Sequence, residues 1–328
     1  MKGRPMLRRL SRLLFACFPL AFGAAQAQTY PDRPVKLVVG FPPGGPTDIM
    51  ARLFAQKLSE GFNATFLVEN KPGATTTIAA DSVAKSKPDG YTVLISTLAG
   101  QVVAPIIYPN LPYDSLRDLT GVTMLSSVPN LLATHPSVSA KNVRELIALM
   151  QSSPGKFNYA STGNGTSQHL AGELFKHMAK MDVVAIQYKG SAPALVDLLA
   201  GQGMSWMIDN TSSIGPHVRA GKLRGLAVTS LERVPAYPEL PTMDEAGVPG
   251  YEVISWFGLA VPTGTPRPII ERLHAESAKF IRQPDFIERL AKLGANPVNS
   301  TPEQFNAKIR SDIEKWAPIV KAAGIKVQ

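Results

Sequence analysis

The strongest constraint on this sequence is an alternation. Short valine-, leucine- and isoleucine-rich runs are separated by segments whose apolar residues recur every three or four positions. That pattern belongs to strand–helix–strand units wound around largely parallel sheets, an α/β architecture. Residues 35–39 read as the first strand. A Pro/Gly loop follows, then a helix whose apolar face carries Ile49, Met50, Leu53, Phe54 and Leu58. Residues 65–68, a helix over 74–85 and residues 91–95 complete this wound unit. A second series runs from a helix bearing Val143, Leu146, Ile147 and Met150 through strands near 157–160, 183–186, 204–208 and 224–228. Its helices carry Leu170, Leu174 and Met178, and span 191–199.

Two stretches, 121–133 and 252–261, have strand composition with no helix attached, and read as crossovers between two lobes. The chain then returns to helices from Pro266, with a capping box at Thr301-Pro302-Glu303-Gln304. Lobe 1 is therefore expected to be discontinuous, 28–125 plus 255–328, with lobe 2 at 126–254. A mature chain of about 300 residues suits two cores.

Residues 1–27 read as a secretory signal. Lys2, Arg4, Arg8, Arg9 and Arg12 precede an apolar stretch too short to span a bilayer, and Ala25-Gln26-Ala27 is an A-x-A cleavage site. The expected location is periplasmic, with Gln28 as the first mature residue. Arg8-Arg9 also suggests a twin-arginine signal and Leu14-Phe15-Ala16-Cys17 a lipid-attachment box, though Phe15 suits the latter poorly. The single cysteine, Cys17, leaves with this segment, so no disulfide or thiolate metal site is expected. Discounting the five signal cations reduces the net charge from +9 to +4, 29 basic against 25 acidic residues. No Lys/Arg cluster remains to neutralise phosphates, which argues against a nucleic-acid partner.

Chemistry concentrates at two strand-to-helix junctions, where wound sheets bind ligands. In Gly40-Phe41-Pro42-Pro43-Gly44-Gly45-Pro46-Thr47-Asp48 the glycines permit close backbone approach. Pro46 suits the first helical position, and the N–H groups of Gly45, Thr47 and Asp48 are left over by the helix. An anion fits there; a tight turn with Asp48 capping the helix fits equally well. No Gly-Lys-Ser/Thr follows, so this is not a P-loop. Ser161-Thr162-Gly163-Asn164-Gly165-Thr166-Ser167-Gln168-His169 repeats the arrangement in the other lobe, or is simply a capped helix. It lacks a dinucleotide fingerprint, and no cofactor is expected. Tyr188-Lys189-Gly190-Ser191 and Asp209-Asn210-Thr211-Ser212 end strands at the same crevice. His169, Glu173 and His177 recur every four residues without the H-E-x-x-H zinc spacing, and read as a solvated helix face. No G-x-S-x-G elbow or Cys nucleophile is present, so no catalytic residue is assigned.

Several further stretches carry a resemblance: Tyr30-Pro31-Asp32-Arg33-Pro34, Pro43 to Asp48 with Ala51-Arg52, Glu69-Asn70-Lys71-Pro72-Gly73-Ala74 and Pro88-Asp89-Gly90-Tyr91-Thr92. Tyr159 to Gly165, His169-Leu170-Ala171-Gly172-Glu173 and Tyr188-Lys189-Gly190 through Gly201 continue it. In order and spacing the chain resembles the Bug family, the extracytoplasmic receptors of tripartite tricarboxylate transporters. The resemblance implies a two-lobed periplasmic-binding-protein (type II, Venus-flytrap) fold, each lobe a wound sheet flanked by helices and joined by two crossover strands. It implies a monomeric, non-enzymatic receptor that delivers a small organic acid to permease subunits. Its first-lobe contacts would be Phe41, Gly44, Gly45, Thr47 and Asp48. Those of the second would be Ser161, Gly163, Asn164, Gly165, Ser167, His169 and Asp209. Where such proteins often read Ser-His-Ala-x-Asn-Pro, this chain has Gly100-Gln101-Val102-Val103-Ala104-Pro105. Gln101 and Ala104, in place of a histidine and an asparagine at the pocket's edge, would then favour a less polar or aromatic acid over a dicarboxylate. Input to a sensor kinase, or an enzyme using Asp48 or His169 as base, are the alternatives.

Overall fold

The computed structural model describes residues 30–325; the segment read as a signal lies outside them. In chain order the elements are β1 (Val35–Val39), α1 (Pro46–Phe62), β2 (Phe66–Asn70), α2 (Thr77–Ala84) and β3 (Thr92–Thr97). A π-helical turn (Ala99–Val103), α3 (Ala104–Ile107), β4 (Leu119–Thr134), α4 (Val143–Ser152), β5 (Asn158–Ser161) and α5 (Ser167–Met178) follow. Next come β6 (Val184–Gln187), α6 (Ser191–Leu199), β7 (Trp206–Asn210), α7 (Thr211–Arg219) and β8 (Arg224–Val228). The chain closes with β9 (Ile254–Pro262), α8 (Arg267–Phe280), α9 (Pro284–Lys292), β10 (Asn296–Pro297) and α10 (Pro302–Ala322).

The alternation builds two wound halves. β2, β1 and β3 are parallel neighbours, as are β6, β5 and β7. The two extended stretches are antiparallel partners of each other, pairing from Leu119↔Pro262 to Pro129↔Ile254. β9 also pairs with β3. From Asn130 onward β4 leaves β9 and pairs with β7 and β8. Pro129 stands at this change of partner, where a missing N–H is tolerated. One continuous strand therefore serves both sheets.

α1 buries Met50, Leu53, Phe54 and Leu58 in a core shared with β1, α8 and α9, through Val39, Leu273, Phe280 and Phe286. In the other half, Tyr159 stacks on Trp206 at 4.3 Å between ring centroids, and Phe175 meets the same indole edge-on. α10 starts with the expected capping box between Thr301 and Gln304. Its apolar face, Phe305, Ile309, Trp316 and Val320, joins a core that also holds Val102, Val103 and residues of the second half. The helix expected from residue 74 begins at Thr77. Before it, Ala74, Thr75 and Thr76 are all left-handed, with φ of 44°, 52° and 71°. Three such residues in succession are strained, since none is glycine.

The β4–β9 ladder is narrow at Gly258. A Cβ there would stand 2.6 Å from the Thr123 carbonyl oxygen and 2.6 Å from Phe305 Cζ. Gly258→Ala should force the strands or α10 apart and lower stability by about 1–3 kcal/mol, read as a reduced urea midpoint.

Candidate functional site

Thr47 of α1 and Ser167 of α5 line one cleft between the halves, together with Ser191 of α6 and Asn210, which immediately precedes α7. Several helix N-termini thus converge, each leaving backbone N–H groups unmatched within its own helix. The floor adds Thr162, Gln168 and Ser255; the walls are Phe41, Pro42, Pro43, Leu98, Ala99, Pro193, Trp256 and Phe257. Among the described residues no acidic side chain lines this space. Oriented N–H groups and helix dipoles without a facing carboxylate favour an anion.

The first loop is held from behind. Asp48, only 3% exposed, accepts hydrogen bonds from Gly44 N (3.0 Å), Asn70 Nδ2 (3.0 Å) and the Arg52 guanidinium (2.9 and 3.0 Å). Asn70 Nδ2 also donates to the Phe41 carbonyl at 3.0 Å. Burial opposes ionisation of Asp48, but hydrogen bonds from Arg52, Gly44 and Asn70 hold its carboxyl below the ordinary value. Gly44 takes φ +81°, which favours glycine; Gly45 caps α1 with φ −85°, open to any residue.

The second loop is built similarly. Thr166 caps α5 by accepting from His169 N at 3.1 Å, and Gly163 and Gly165 take φ +127° and +72°. His169 Nδ1 accepts from Gly165 N at 3.1 Å, which leaves the ring proton on Nε2. Burial lowers its pKa to about 4, so the ring is neutral at pH 7. Across the cleft, Thr75 Oγ1 donates to the Asn164 carbonyl at 2.7 Å. A Cβ on Gly165 would lie 2.4 Å from Ile107 Cδ1. The left-handed segment is thus part of the seam where the halves touch.

Beneath the cleft lies a buried polar chain. Asn210 Nδ2 donates to Asn130 Oδ1 (2.6 Å) and Ser255 Oγ (2.9 Å). Ser255 Oγ donates to Ser167 Oγ (3.0 Å), and Ser167 Oγ to Gln168 Oε1 (3.0 Å). Gln168 Nε2 and Ser191 Oγ reach Asp209 Oδ1 at 3.2 and 3.1 Å. Asp209 is fully buried, and burial pushes its carboxyl up to about 6.

Of the residues expected from sequence, Phe41, Gly45, Thr47 and Ser167 line this cleft, and Gly163 and Asn164 line an adjoining outer compartment. Asp48, Ser161, Gly165, His169 and Asp209 are buried behind the two surfaces, and Gly44 is exposed and lines neither. The Ser161 hydroxyl, for example, donates to Gln187 Oε1 at 2.9 Å. Gln101 departs from expectation: it is 1% exposed in the π-helical turn, and Leu98 and Ala99 line the cleft instead. The inference of a less polar ligand from Gln101 therefore loses its basis. The helix face of His169 and Glu173 is not solvated either. Glu173 accepts from Tyr159 Oη at 2.7 Å and pairs with Lys176 at 2.9 Å. Among the described residues no His/Cys/Asp/Glu group could hold a metal ion, and no helix is long and apolar enough to cross a membrane.

Sequence reasoning missed Gln168, Ser255, Trp256 and Phe257. The first sits inside a motif already singled out, one residue past Ser167. The others lie in the second extended stretch, whose polar–aromatic Ser255-Trp256-Phe257 run was the available signal.

Residues 50–325 match the family described as "Tripartite tricarboxylate transporter family receptor". The chain belongs to this family. It is 37% identical to Protein BugT of Bordetella pertussis over 303 residues, covering 92% of this chain and 93% of that one. Rpa4515 of R. palustris, solved with adipate, superposes with a TM-score of 0.88 at 39% identity, covering 90% of this chain and 99% of its own. MatC of Rhodopseudomonas palustris, with bound malate, gives 0.84 at 33% identity, with 89% and 100% covered. This receptor therefore has the two-lobed binding-protein fold of its relatives.

Asp48 and Asp209 should respond to pH with opposite sign. Asp48, held low in the fold, contributes stability above its unfolded pKa near 4 and loses it as pH falls. Asp48→Ala should cost about 1–3 kcal/mol at pH 7. Asp209 is raised, so stability falls as pH climbs from near 4 to about 6. Asp209→Asn should flatten that decline, measured by urea unfolding at pH 4 and pH 7.

Proposed function

We propose that this receptor works in the periplasm, capturing a small carboxylate-bearing molecule between its lobes and presenting it to the permease subunits of a tripartite tricarboxylate-type transporter. The observation that carries the reading is the convergence of helix N-termini on a cleft with no acidic lining residue. The carboxylate sits against the N–H groups of the Gly45–Thr47 and Ser167–Gln168 turns, backed by Gln168, Ser191 and Asn210, whose side-chain donors are engaged by Asp209, Asn130 and Ser255. The apolar walls, Trp256 and Phe257 among them, cover the rest of the molecule. Adipate and malate in the solved relatives support this ligand class.

The lobes are 28–125 plus 255–328 and 126–254, released from a signal at 1–27, and the protein acts as a monomer. Closure occurs about β4 and β9, near Pro129 and Ile254, where the ladder changes partner. Ligand is bound without being transformed. Both candidate bases are withdrawn: Asp48 is saturated by hydrogen bonds, and His169 is buried with one ring nitrogen engaged. Neither lines the cleft.

Gly45→Val tests the reading cleanly. Its φ of −85° suits valine, and a Cβ would meet nothing nearer than the Pro42 carbonyl oxygen at 3.8 Å. The melting temperature without ligand should be unchanged, while the ligand-induced rise in a screen of aliphatic and aromatic acids should disappear. A variant with undiminished ligand-induced shifts refutes the assignment of this loop.

A further inference from the structure

A carboxylate stands directly behind the cleft wall. Asp209, near the end of β7, is wholly buried, and its Oδ1 accepts from Asn210 N at 2.8 Å, Ser191 Oγ at 3.1 Å and Gln168 Nε2 at 3.2 Å. Asn210, Ser191 and Gln168 all line the cleft, so a single layer of residues separates this carboxylate from it. The other oxygen, Oδ2, is buried and makes no hydrogen bond. The Ser213 hydroxyl is near the carboxylate and, with the donors to Oδ1, counters part of the effect of burial.

No cation answers this charge. Among the described residues no lysine, arginine or histidine forms an ion pair with Asp209. The elements packed against β7 are β4, β5, α5, α6 and α7. The groups they turn toward Asp209 are uncharged: Leu131 of β4 is its register partner, and Gln168, Ser191 and Ser213 come from the three helices. The titratable groups on those elements are engaged elsewhere or distant. His169 accepts from Gly165 N, Glu173 is shared by Tyr159 and Lys176, and Asp197 accepts from Tyr188. His177 lies in the last turn of α5, and His217 and Arg219 in that of α7. An ionised carboxylate in such surroundings is costly, and burial already moves its pKa up to about 6. A solute carboxylate arriving on the far side of Gln168, Ser191 and Asn210 adds a second negative charge across one layer of low dielectric.

We propose that Asp209 is a proton-binding site coupled to the cleft: the receptor takes up a proton there as it captures a carboxylate, and gives the proton back when the solute leaves. This rests on the carboxylate reading above. The proton comes from solvent and settles on Oδ2, which has no hydrogen bond to lose, while Oδ1 keeps its three donors. The coupling is reciprocal: the factor by which solute strengthens proton binding is the factor by which the proton strengthens solute binding. The sign follows from repulsion between like charges. Solute raises the Asp209 pKa above its solute-free value, so affinity is highest at low pH and declines as pH climbs from the solute-free to the solute-bound value. At pH 7 the empty receptor is mostly ionised at this site, and binding therefore draws a proton in.

Calorimetry of the purified mature chain with adipate and with malate tests this. Titrations at pH 7 in phosphate and in Tris, buffers of low and high ionisation enthalpy, should differ in heat by the equivalent of roughly half a proton taken up per solute bound. Affinity should fall about five-fold from about pH 6 to about pH 8.5. Asp209→Asn, neutral at every pH, should take up no proton, show a flat profile, and bind at the alkaline end about five-fold tighter than wild type. Wild type that binds without proton uptake overturns the proposal, as does undiminished uptake in Asp209→Asn; both leave the carboxylate reading standing. If the variant does not fold, the Asp209 carboxyl resonance of wild type labelled with carbon-13 aspartate decides. Its titration midpoint must rise when either acid binds, and an unmoved midpoint overturns the proposal. Wild type that binds neither acid overturns the carboxylate reading and the proposal together.

Discussion

The arrangement depends on one buried amide, the side chain of Asn210. Asn210 ends β7 immediately before α7, and its amide donates to Asn130 on β4 and Ser255 on β9, the two strands that join the lobes. From Ser255 the chain of hydrogen bonds continues to Ser167 and Gln168 at the start of α5. Every member is buried, and a buried polar group left unmatched is expensive. The crossover strands and the second-lobe loop are therefore set with respect to each other by one connected network, directly beneath the interlobe cleft.

The charge distribution follows the same economy. Acidic groups near the cleft are turned away from it: Asp48 is spent on the first loop, Asp209 sits under the floor, and Glu173 is shared between Tyr159 and Lys176. The cleft itself presents backbone N–H groups, hydroxyls and amides. Fixed dipoles of this kind stabilise an anion with little rearrangement of the protein.

Much of the fold was legible because its signals are local. The periodicity of Met50, Leu53, Phe54 and Leu58 marks α1, and the Thr301–Gln304 box marks the start of α10. The glycine-rich turns at Gly44–Gly45 and Gly163–Gly165 identify both cleft loops. What sequence could not supply was the direction of each side chain. Asp48 and His169 have the chemistry of ligand contacts, yet partners distant or adjacent in the chain, Asn70 and Gly165, claim them. Gln101 was assigned by position alone, and the π-helical turn rotates it into the interior. Trp256 was invisible for a related reason: it lies on a strand buried on both faces, where alternation carries no information.

Trp256 carries one more consequence. Its indole N–H donates to Asp312 Oδ2 of α10 at 2.9 Å, and its ring meets Phe305 edge-on. The chain has three tryptophans, and the other two, Trp206 and Trp316, lie in cores away from this space. The molecule thus carries a built-in optical reporter: a solute arriving against that wall perturbs the emission of a single indole while the other two supply a constant background.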